Sequence, residues 1–207
     1  MDRIRRKIIR TAFVFFLFPA FLSAQKFHFQ NYNVQQGLIQ SQVIAITQDR
    51  YDNLWFCTLG GISRFDGKDF TNYSETDGLI SNFTNSIIAD HESNIWIGTA
   101  FGISIFNGAS FKNVKFSENP AANVVKTIQE DGRNRVWVLA GGTLYRVSHN
   151  EKPLHTAVSG LYERVTAIQV DKQGNLWASV MSKGIYKLKE KGWEMEFPLP
   201  ENNEMGI

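Results

Sequence analysis

The sequence predicts an all-β fold, because one segment of strand-forming residues recurs four times. In each copy an aspartate stands six residues before a tryptophan, and an isoleucine stands three residues before the aspartate. The Ile/Asp/Trp sets are Ile46/Asp49/Trp55, Ile87/Asp90/Trp96, Ile128/Asp131/Trp137 and Ile168/Asp171/Trp177. The tryptophans are 41, 41 and 40 residues apart. A fixed period in the forties with short strands is typical of a β-propeller or a related repeat array.

The first copy shows why each segment fits one strand of a four-stranded blade. The strands are predicted at 43–48, 54–58, 62–65 and 70–73. The first is apolar on both faces, as in a buried strand. Asp49 begins a turn in which Asn53 tolerates a left-handed conformation. Gly60-Gly61 ends the second strand, and Asp66-Gly67 is a favoured hairpin turn.

The repeats define the predicted domain organisation. Blades are predicted at about 43–73, 84–114, 124–150 and 164–195, within a repeat region of 25–197 that is followed at 198–207 by a linker or the truncated start of another repeat. Residues 27–32 share the aromatic spacing of the outer strand at 70–73 and predict an outer strand without its own blade. Such a strand completes the last blade of a closed ring. We therefore expect a truncated larger propeller, since a closed four-blade ring leaves one surplus strand.

The N-terminal segment 1–24 predicts a secretory signal peptide. It has a basic start, an apolar run at 11–22 and the small residues Ser23 and Ala24 for cleavage. The apolar run is shorter than the roughly 20 residues of a membrane span, although an uncleaved anchor is the alternative. The segment holds four arginines, one lysine and one aspartate, a charge of +4. The whole chain has a net charge of +2, so the remaining residues carry about −2. No basic patch predicts nucleic-acid binding.

The repeat position of a polar or aromatic residue indicates whether its role is structural or chemical. The aspartates recur once per blade, so we interpret them as turn caps, and we interpret the tryptophans as core between blades. His28, His91, His149 and His155 share no repeat position and no metal-ligand spacing. Cys57 is interpreted as a small buried hydrophobe. The sequence therefore predicts no catalytic residue, metal site or cofactor.

Residues 37–73 and 78–114 share the pattern Gly-Leu, then Ile-x-x-Asp-x(5)-Trp, then Gly-Ile-Ser-x-Phe followed by Asp-Gly or Asn-Gly. This pattern resembles the two-component regulator propeller repeat. The resemblance extends over residues 27 to about 197, although Ala140 replaces the threonine of the pattern in copy three and Ala178-Ser179-Val180 departs from it in copy four. It implies a bacterial sensory propeller on the periplasmic or extracytoplasmic side of the inner membrane. A membrane helix and a histidine kinase module would then follow beyond Ile207.

Ligand binding is expected where the repeats differ. If the first strand of each blade is innermost, the loops between blades and the turns between second and third strands share one face. We predict that this face binds a small polar or carbohydrate ligand, such as a glycan fragment, through Gln40, Gln42, Asn82, Phe101, Met181 and Lys183. The alternative is that these are ordinary loops.

Three functions stay open at this point. The first is the sensor propeller, a non-enzymatic part of a signal-transduction protein whose partners are further blades and the kinase module. The second is a secreted propeller scaffold or binding protein. The third is a propeller glycosidase or lyase, which would need clustered carboxylates or histidines that the visible blades lack. A dimer is compatible with each of them.

Overall fold

The computed structural model describes residues 29–148, 154–155 and 164–199, and these form the blades of a β-propeller. Four separate antiparallel sheets of four strands each lie in the unit formed by residues 32–207, and within each sheet every strand pairs with the next one along the chain. Blade one contains β1 (Val43–Gln48), β2 (Leu54–Thr58), β3 (Gly61–Phe65) and β4 (Phe70–Tyr73); blade two contains β5 (Thr84–Ala89), β6 (Ile95–Thr99), β7 (Gly102–Phe106) and β8 (Phe111–Val114). Blade three contains β9 (Val125–Glu130), β10 (Val136–Ala140), β11 (Thr143–Val147) and β12 (Leu154–His155); blade four contains β13 (Val165–Val170), β14 (Leu176–Val180), β15 (Gly184–Lys189) and β16 (Gly192–Pro198). The all-β propeller prediction is confirmed.

The first strand of each blade is the strand through which neighbouring blades meet. β1 contacts β5, β5 contacts β9, and β9 contacts β13. This arrangement confirms that the first strand is the inner one. The only helices among the described residues are short 3₁₀ helices at Val34–Gln36, Glu75–Asp77 and Pro120–Asn123, and none of them is long and apolar enough to span a membrane.

The hydrophobic core consists of three layers, each between two consecutive blades. Trp55, Trp96 and Trp137 are buried between blades, as predicted, and each faces the blade that follows its own. The isoleucine of each repeat faces the opposite way: Ile87 packs with Trp55, and Ile128 packs with Trp96. A blade therefore has a leading face, which carries the isoleucine, and a trailing face, which carries the tryptophan.

Cys57 lies fully buried in the layer between blades one and two, as predicted from its place in a strand. Its thiol donates to the Ser86 carbonyl oxygen at 3.5 Å. Burial, which disfavours the thiolate, raises the pKa of Cys57 to about 12. Cys57 is therefore an inert packing residue.

The repeated aspartate holds the turn between the first and second strands and also fixes the tryptophan. In blade one, Asp49 Oδ1 accepts from the backbone N–H groups of Tyr51 (2.8 Å) and Asn53 (3.0 Å). Its Oδ2 accepts from Trp55 Nε1 at 2.8 Å. The same aspartate-to-indole hydrogen bond is 2.7 Å long in blade two and 2.8 Å long in blades three and four. The spacing of six residues exists because one carboxylate satisfies both the turn amides and the indole N–H.

These hydrogen bonds outweigh the effect of burial on the carboxylates. Burial by itself would raise the pKa of Asp49, but the hydrogen bonds from Trp55, Asn53 and the turn amides lower it. The pKa of Asp171 is also lowered, chiefly by the hydrogen bond from the Trp177 indole. The turn-cap interpretation of the aspartates is thereby confirmed.

The left-handed residue of this turn differs from the predicted one. It is Asp52, with φ of 66°, rather than Asn53. Asn53 instead donates from Nδ2 to Asp49 Oδ2 at 2.9 Å. The third residue after the aspartate is left-handed in every blade, at Asp52, Ser93, Asn134 and Gly174. The side chain of Asn53 is needed by the carboxylate, so the turn places its left-handed residue one position earlier.

The outer strands of blades three and four extend beyond their predicted limits of 150 and 195. In blade three the outer strand is Leu154–His155, because copy three lacks the Asn-Gly or Asp-Gly pair that makes a tight hairpin in copies one and two. In blade four the outer strand runs to Pro198, which pairs with Gly184 beyond a bulge at Ile185 and Tyr186. Proline is tolerated there because β16 is an edge strand.

The outer strand predicted at 27–32 is not formed in its described part, which begins at Phe29. An outer strand needs a third strand as its hydrogen-bonding partner, and the described residues before β1 provide none. Tyr32 nevertheless packs on Phe65 and Phe70, with ring centroids 5.0 and 5.7 Å away. The predicted signal peptide, 1–24, and the predicted linker from residue 200 onward lie outside the described residues.

Candidate functional site

The loops between blades and the turns between second and third strands lie together on one face, which we call the loop face. Backbone hydrogen bonds join them in blades two, three and four. Ala100 N donates to Phe83 O at 3.0 Å, and Met181 N donates to Arg164 O at 2.9 Å. In blade three Gly141 N donates to Val124 O at 3.0 Å. This recurring bond gives the loop face a fixed backbone.

Exposed apolar side chains stand on this fixed backbone. The Phe83 side chain, in the loop before blade two, is 55% exposed, and that of Phe101, in the next turn, is 46% exposed. Leu59, Val124 and Met181 are exposed at comparable loop positions. Loops that a scaffold positions are a common place for binding residues.

A cavity of about 620 Å³ opens on the loop face between blades three and four. Its polar lining comes from Asn85, Lys126 and Thr166, each the second residue of an inner strand, and from Arg164 just before β13. Lys126 Nζ donates to the Thr166 carbonyl oxygen, and Asn85 Nδ2 donates to Val125 O at 3.2 Å. These bonds bridge neighbouring blades and hold the polar groups at the cavity wall.

The six predicted ligand residues occupy different places on the loop face. Met181 lines the cavity, and Phe101 is one of the exposed rings. Gln40 Oε1 accepts from Gln42 N at 2.8 Å, so both lie in the turn before β1. Lys183 lies in the turn before β15, where its carbonyl oxygen accepts from Leu199 N. A binding role for these residues stays a prediction.

Asn82 mainly braces its own loop. Its Oδ1 accepts from Glu75 N at 2.8 Å, and its backbone N–H donates to Glu75 Oε1 at 2.9 Å. The corresponding residue of the next loop, Asn123, is buried and accepts from Phe116 N and Ser117 N. The recurrence of this amide indicates a structural role for Asn82.

The polar residues that line the cavity were not among the predicted ligand residues. Asn85, Lys126 and Thr166 follow the first residue of each inner strand, where blade one has Ile44. Phe83 and Arg164 stand immediately before the inner strands. The residue type at the second position of the inner strand varies from blade to blade, and this variation could have indicated Asn85, Lys126 and Thr166. The predicted ligand residues all lie in loops and turns.

A second cavity, of about 450 Å³, lies on the opposite face, which carries the aspartate turns and which we call the turn face. It lies between blades two and three and contains Asp90, Glu92, Arg135 and Arg146. His91 lies at this cavity and pairs through Nδ1 with Glu130, and this hydrogen bond raises the pKa of His91. Arg135 Nε donates to Asp131 Oδ2 at 2.7 Å. His91 and Glu130 pair across the interface of blades two and three, whereas Arg135 and Asp131 pair within one turn of blade three. These charge pairs indicate a structural role.

Solved structures with similar folds include sensor domains and enzymes. The extracellular domain of BT3049 from B. thetaiotaomicron, a proposed hybrid two component system, is 22% identical with a TM-score of 0.63 over 85% of this chain and 25% of that chain. The extracellular domain of BT4673 from B. thetaiotaomicron, also a proposed hybrid two component system, is 20% identical with a TM-score of 0.63. This match covers 77% of this chain and 25% of that chain. A catalytically inactive virginiamycin B lyase from Staphylococcus aureus is 16% identical with a TM-score of 0.60. This match covers 77% of this chain and 56% of that chain. These likenesses show the propeller fold, and the chain spans about a quarter of the length of the two sensor domains.

Sequence comparison finds a family match in blades one and two. No curated protein matches the chain significantly. Residues 37–60 and 78–101 match the family described as two component regulator propeller. These segments contain the loop, inner strand and second strand of blades one and two, with Asp49, Trp55, Asp90 and Trp96. Over these two segments the chain is similar to two component regulator propeller repeats.

Proposed function

We propose that this chain is part of the ligand-sensing propeller of a two component sensor, and that it binds a polar ligand, such as a glycan fragment, on the loop face. The single observation that carries the proposal is the pair of exposed rings, Phe83 and Phe101, on loops whose backbones are hydrogen-bonded to each other. A flat aromatic ring packs well against the C–H face of a sugar, while polar groups of the adjacent cavity bond its hydroxyls.

The sensory context is proposed from the relatives. The family match and the extracellular sensor domains among the structural neighbours support an exported protein that acts at a bacterial membrane. A periplasmic location, a signal peptide and a histidine kinase module in the full-length protein are parts of this proposal. The chain then supplies recognition, and the kinase module supplies the phosphoryl transfer.

The proposal also assigns an occupant to the faces at the two ends of the blade array. Ile44 and Ile46 are exposed on blade one, while Trp177, Ile185 and Phe197 line an open apolar groove on blade four. Between consecutive blades the leading face always packs against a trailing face. We propose that further blades of the same repeat cover both ends in the full-length protein.

Binding is tested by calorimetric titration of the folded chain with a panel of oligosaccharides. We expect Phe83→Ala and Phe101→Ala each to weaken binding by about tenfold, which corresponds to loss of one aromatic contact. The matched control is Tyr51→Ala, because Tyr51 is also an exposed aromatic ring but lies on the turn face. An equal loss in Tyr51→Ala, or unchanged binding in both phenylalanine variants, would contradict the proposed site.

A further inference from the structure

We propose that the cavity between blades three and four binds an anionic group, so that the ligand of the loop face carries a carboxylate or a sulfate. This inference rests on the proposed function, because it names the chemical class of the ligand for the same face. It is carried by the charges of the cavity and by the way in which they are held.

The cavity has two cationic side chains, Lys126 and Arg164, and its lining contains no carboxylate among the described residues. Within the described part of the chain, neither cation has an ion-pair partner. The turn-face cavity is different, since there Asp90 and Glu92 stand beside the arginines. Two uncompensated positive charges in one concave site attract an anion more strongly than the same charges on a flat surface.

Lys126 is held at the cavity in a way that leaves it able to bind a ligand. Its Nζ donates one hydrogen bond to the Thr166 carbonyl oxygen in blade four. An ammonium group has three N–H donors, so two remain for an anion. The bond across the blades fixes the position of the charge, which reduces the entropy lost on binding.

Arg164 is placed by the backbone around it. Its carbonyl oxygen accepts from Met181 N, and its side chain lies against Gly142. A Cβ atom at Gly142 would lie 2.6 Å from Arg164 Cγ and 2.7 Å from Nε, so a larger residue there would displace the arginine side chain from this position. The guanidinium group suits planar recognition of a carboxylate or of two sulfate oxygens.

The remaining lining fits a saccharide that carries such a group. Asn85 and Thr166 supply neutral polar groups, and Val124 and Met181 supply an apolar wall. The volume of about 620 Å³ lies within the usual range for small-ligand sites. Uronic acids and sulfated sugars combine an apolar ring face with a fixed anion and therefore match both parts of the lining.

The test compares three probes by calorimetric titration of the folded chain at low ionic strength. The probes are trigalacturonate for the carboxylate, a sulfated chondroitin disaccharide for the sulfate, and the neutral cellotriose. We expect at least one acidic probe to bind about tenfold or more tightly than cellotriose, since a charge-assisted hydrogen bond is roughly twice as strong as a neutral one. The probe that binds more tightly identifies the anion.

Two variants locate the binding. We expect Lys126→Gln and Arg164→Gln each to weaken binding of the acidic probe by about tenfold. The matched control is Lys172→Gln, because Lys172 is an exposed lysine in an aspartate turn on the turn face. Raising the salt concentration to 0.5 M should weaken the acidic probe and leave cellotriose unchanged, since salt screens exposed charges.

The outcomes separate this inference from the proposed function. Binding of cellotriose as tight as that of both acidic probes, with sensitivity to Phe83→Ala, overturns the anion site and leaves the loop-face proposal intact. Acidic binding that Lys172→Gln weakens as much as Lys126→Gln overturns the assignment to this cavity. If none of the probes binds, the anion inference is overturned, and the oligosaccharide panel decides the loop-face proposal separately.

Discussion

The interior blades and the end blades use the same residues in different environments. The isoleucine of the inner strand is 5%, 1% and 5% exposed in blades two, three and four, but Ile46 of blade one is 58% exposed. At the other end, Ile185 of blade four is 42% exposed, whereas its counterparts Ile62 and Ile103 are fully buried. The difference teaches that burial in a repeat array is decided by the neighbouring blade, because no blade buries its faces alone.

The trailing face of blade four is partly covered by its own outer strand. Phe197 stacks on Trp177 with ring centroids 6.3 Å apart and an interplanar angle of 23°. Lys187 Nζ lies 4.9 Å from the centroid of the same tryptophan. An open apolar groove of about 300 Å³ remains beside these residues. The contacts within the blade replace only part of what a following blade supplies in the interior.

The largest expected effect is at the tryptophans. Trp96→Ala should lower the free energy of unfolding by about 3–5 kcal/mol, the usual loss for a large buried aromatic side chain. Trp177→Ala should cost about half of that or less, because the Trp177 side chain is only half-buried. Urea unfolding followed by circular dichroism measures both. Equal losses would mean that blade four is packed as fully as blade two.

The isoleucines test the opposite faces. Ile128→Ala should cost about 2–4 kcal/mol, because it leaves a cavity between blades two and three. Ile46→Ala should change the free energy of unfolding by less than about 0.5 kcal/mol, as expected of an exposed side chain. The measurement is again urea unfolding of the two variants. A large loss in Ile46→Ala would indicate that the leading face of blade one is covered in solution.

The aspartate turns should give intermediate losses. In Asp90→Asn the single amide oxygen can accept from the turn amides, but no second oxygen remains for Trp96 Nε1. We expect the free energy of unfolding to fall by about 1–3 kcal/mol. Asp171→Asn should cost less, because the freed indole of half-buried Trp177 can reach water. Thermal unfolding of the two variants gives the comparison.

The control for the aspartate turns is Asp66→Asn. Asp66 accepts from the backbone N–H groups of Lys68 and Asp69, and Asn107 accepts from the same positions in blade two. The substitution therefore reproduces an arrangement that the chain already contains. A loss as large as that of Asp90→Asn would show that the negative charge, rather than the indole hydrogen bond, is what the turns require.

The smallest expected effect is a pH dependence confined to the interface of blades two and three. Glu130 accepts from His91 and raises its pKa, with Glu92 and Asp90 adding to the effect. The stabilisation is fully present below the unfolded pKa of about 6.5 and is lost as pH rises through the raised folded pKa. The melting temperature should fall over this window. Glu130→Gln should flatten the profile, and an unchanged slope would exclude this pair as its source.

Several features could be predicted because their causes are local or periodic. The strands of blades one and two, the hairpin turns and the aspartate caps follow from residues at fixed short spacing. Asp49 and Trp55 could be identified together because a hydrogen bond links them across only six residues. The cavity on the loop face was harder to predict. One predicted ligand residue, Met181, lines it, but Lys126 and Arg164 meet there only because two blades pack together.

The sequence by itself determined the blade, because each strand, turn and cap depends on residues that are close along the chain. It also determined the direction of packing, since one face of every blade carries the isoleucine and the other carries the tryptophan. Only the tertiary structure decided which of these equivalent faces are buried, and that Lys126 of blade three donates to Thr166 of blade four. The physical reason is that burial and cavity shape depend on neighbouring blades about 40 residues away, whereas the repeat pattern is the same in every blade.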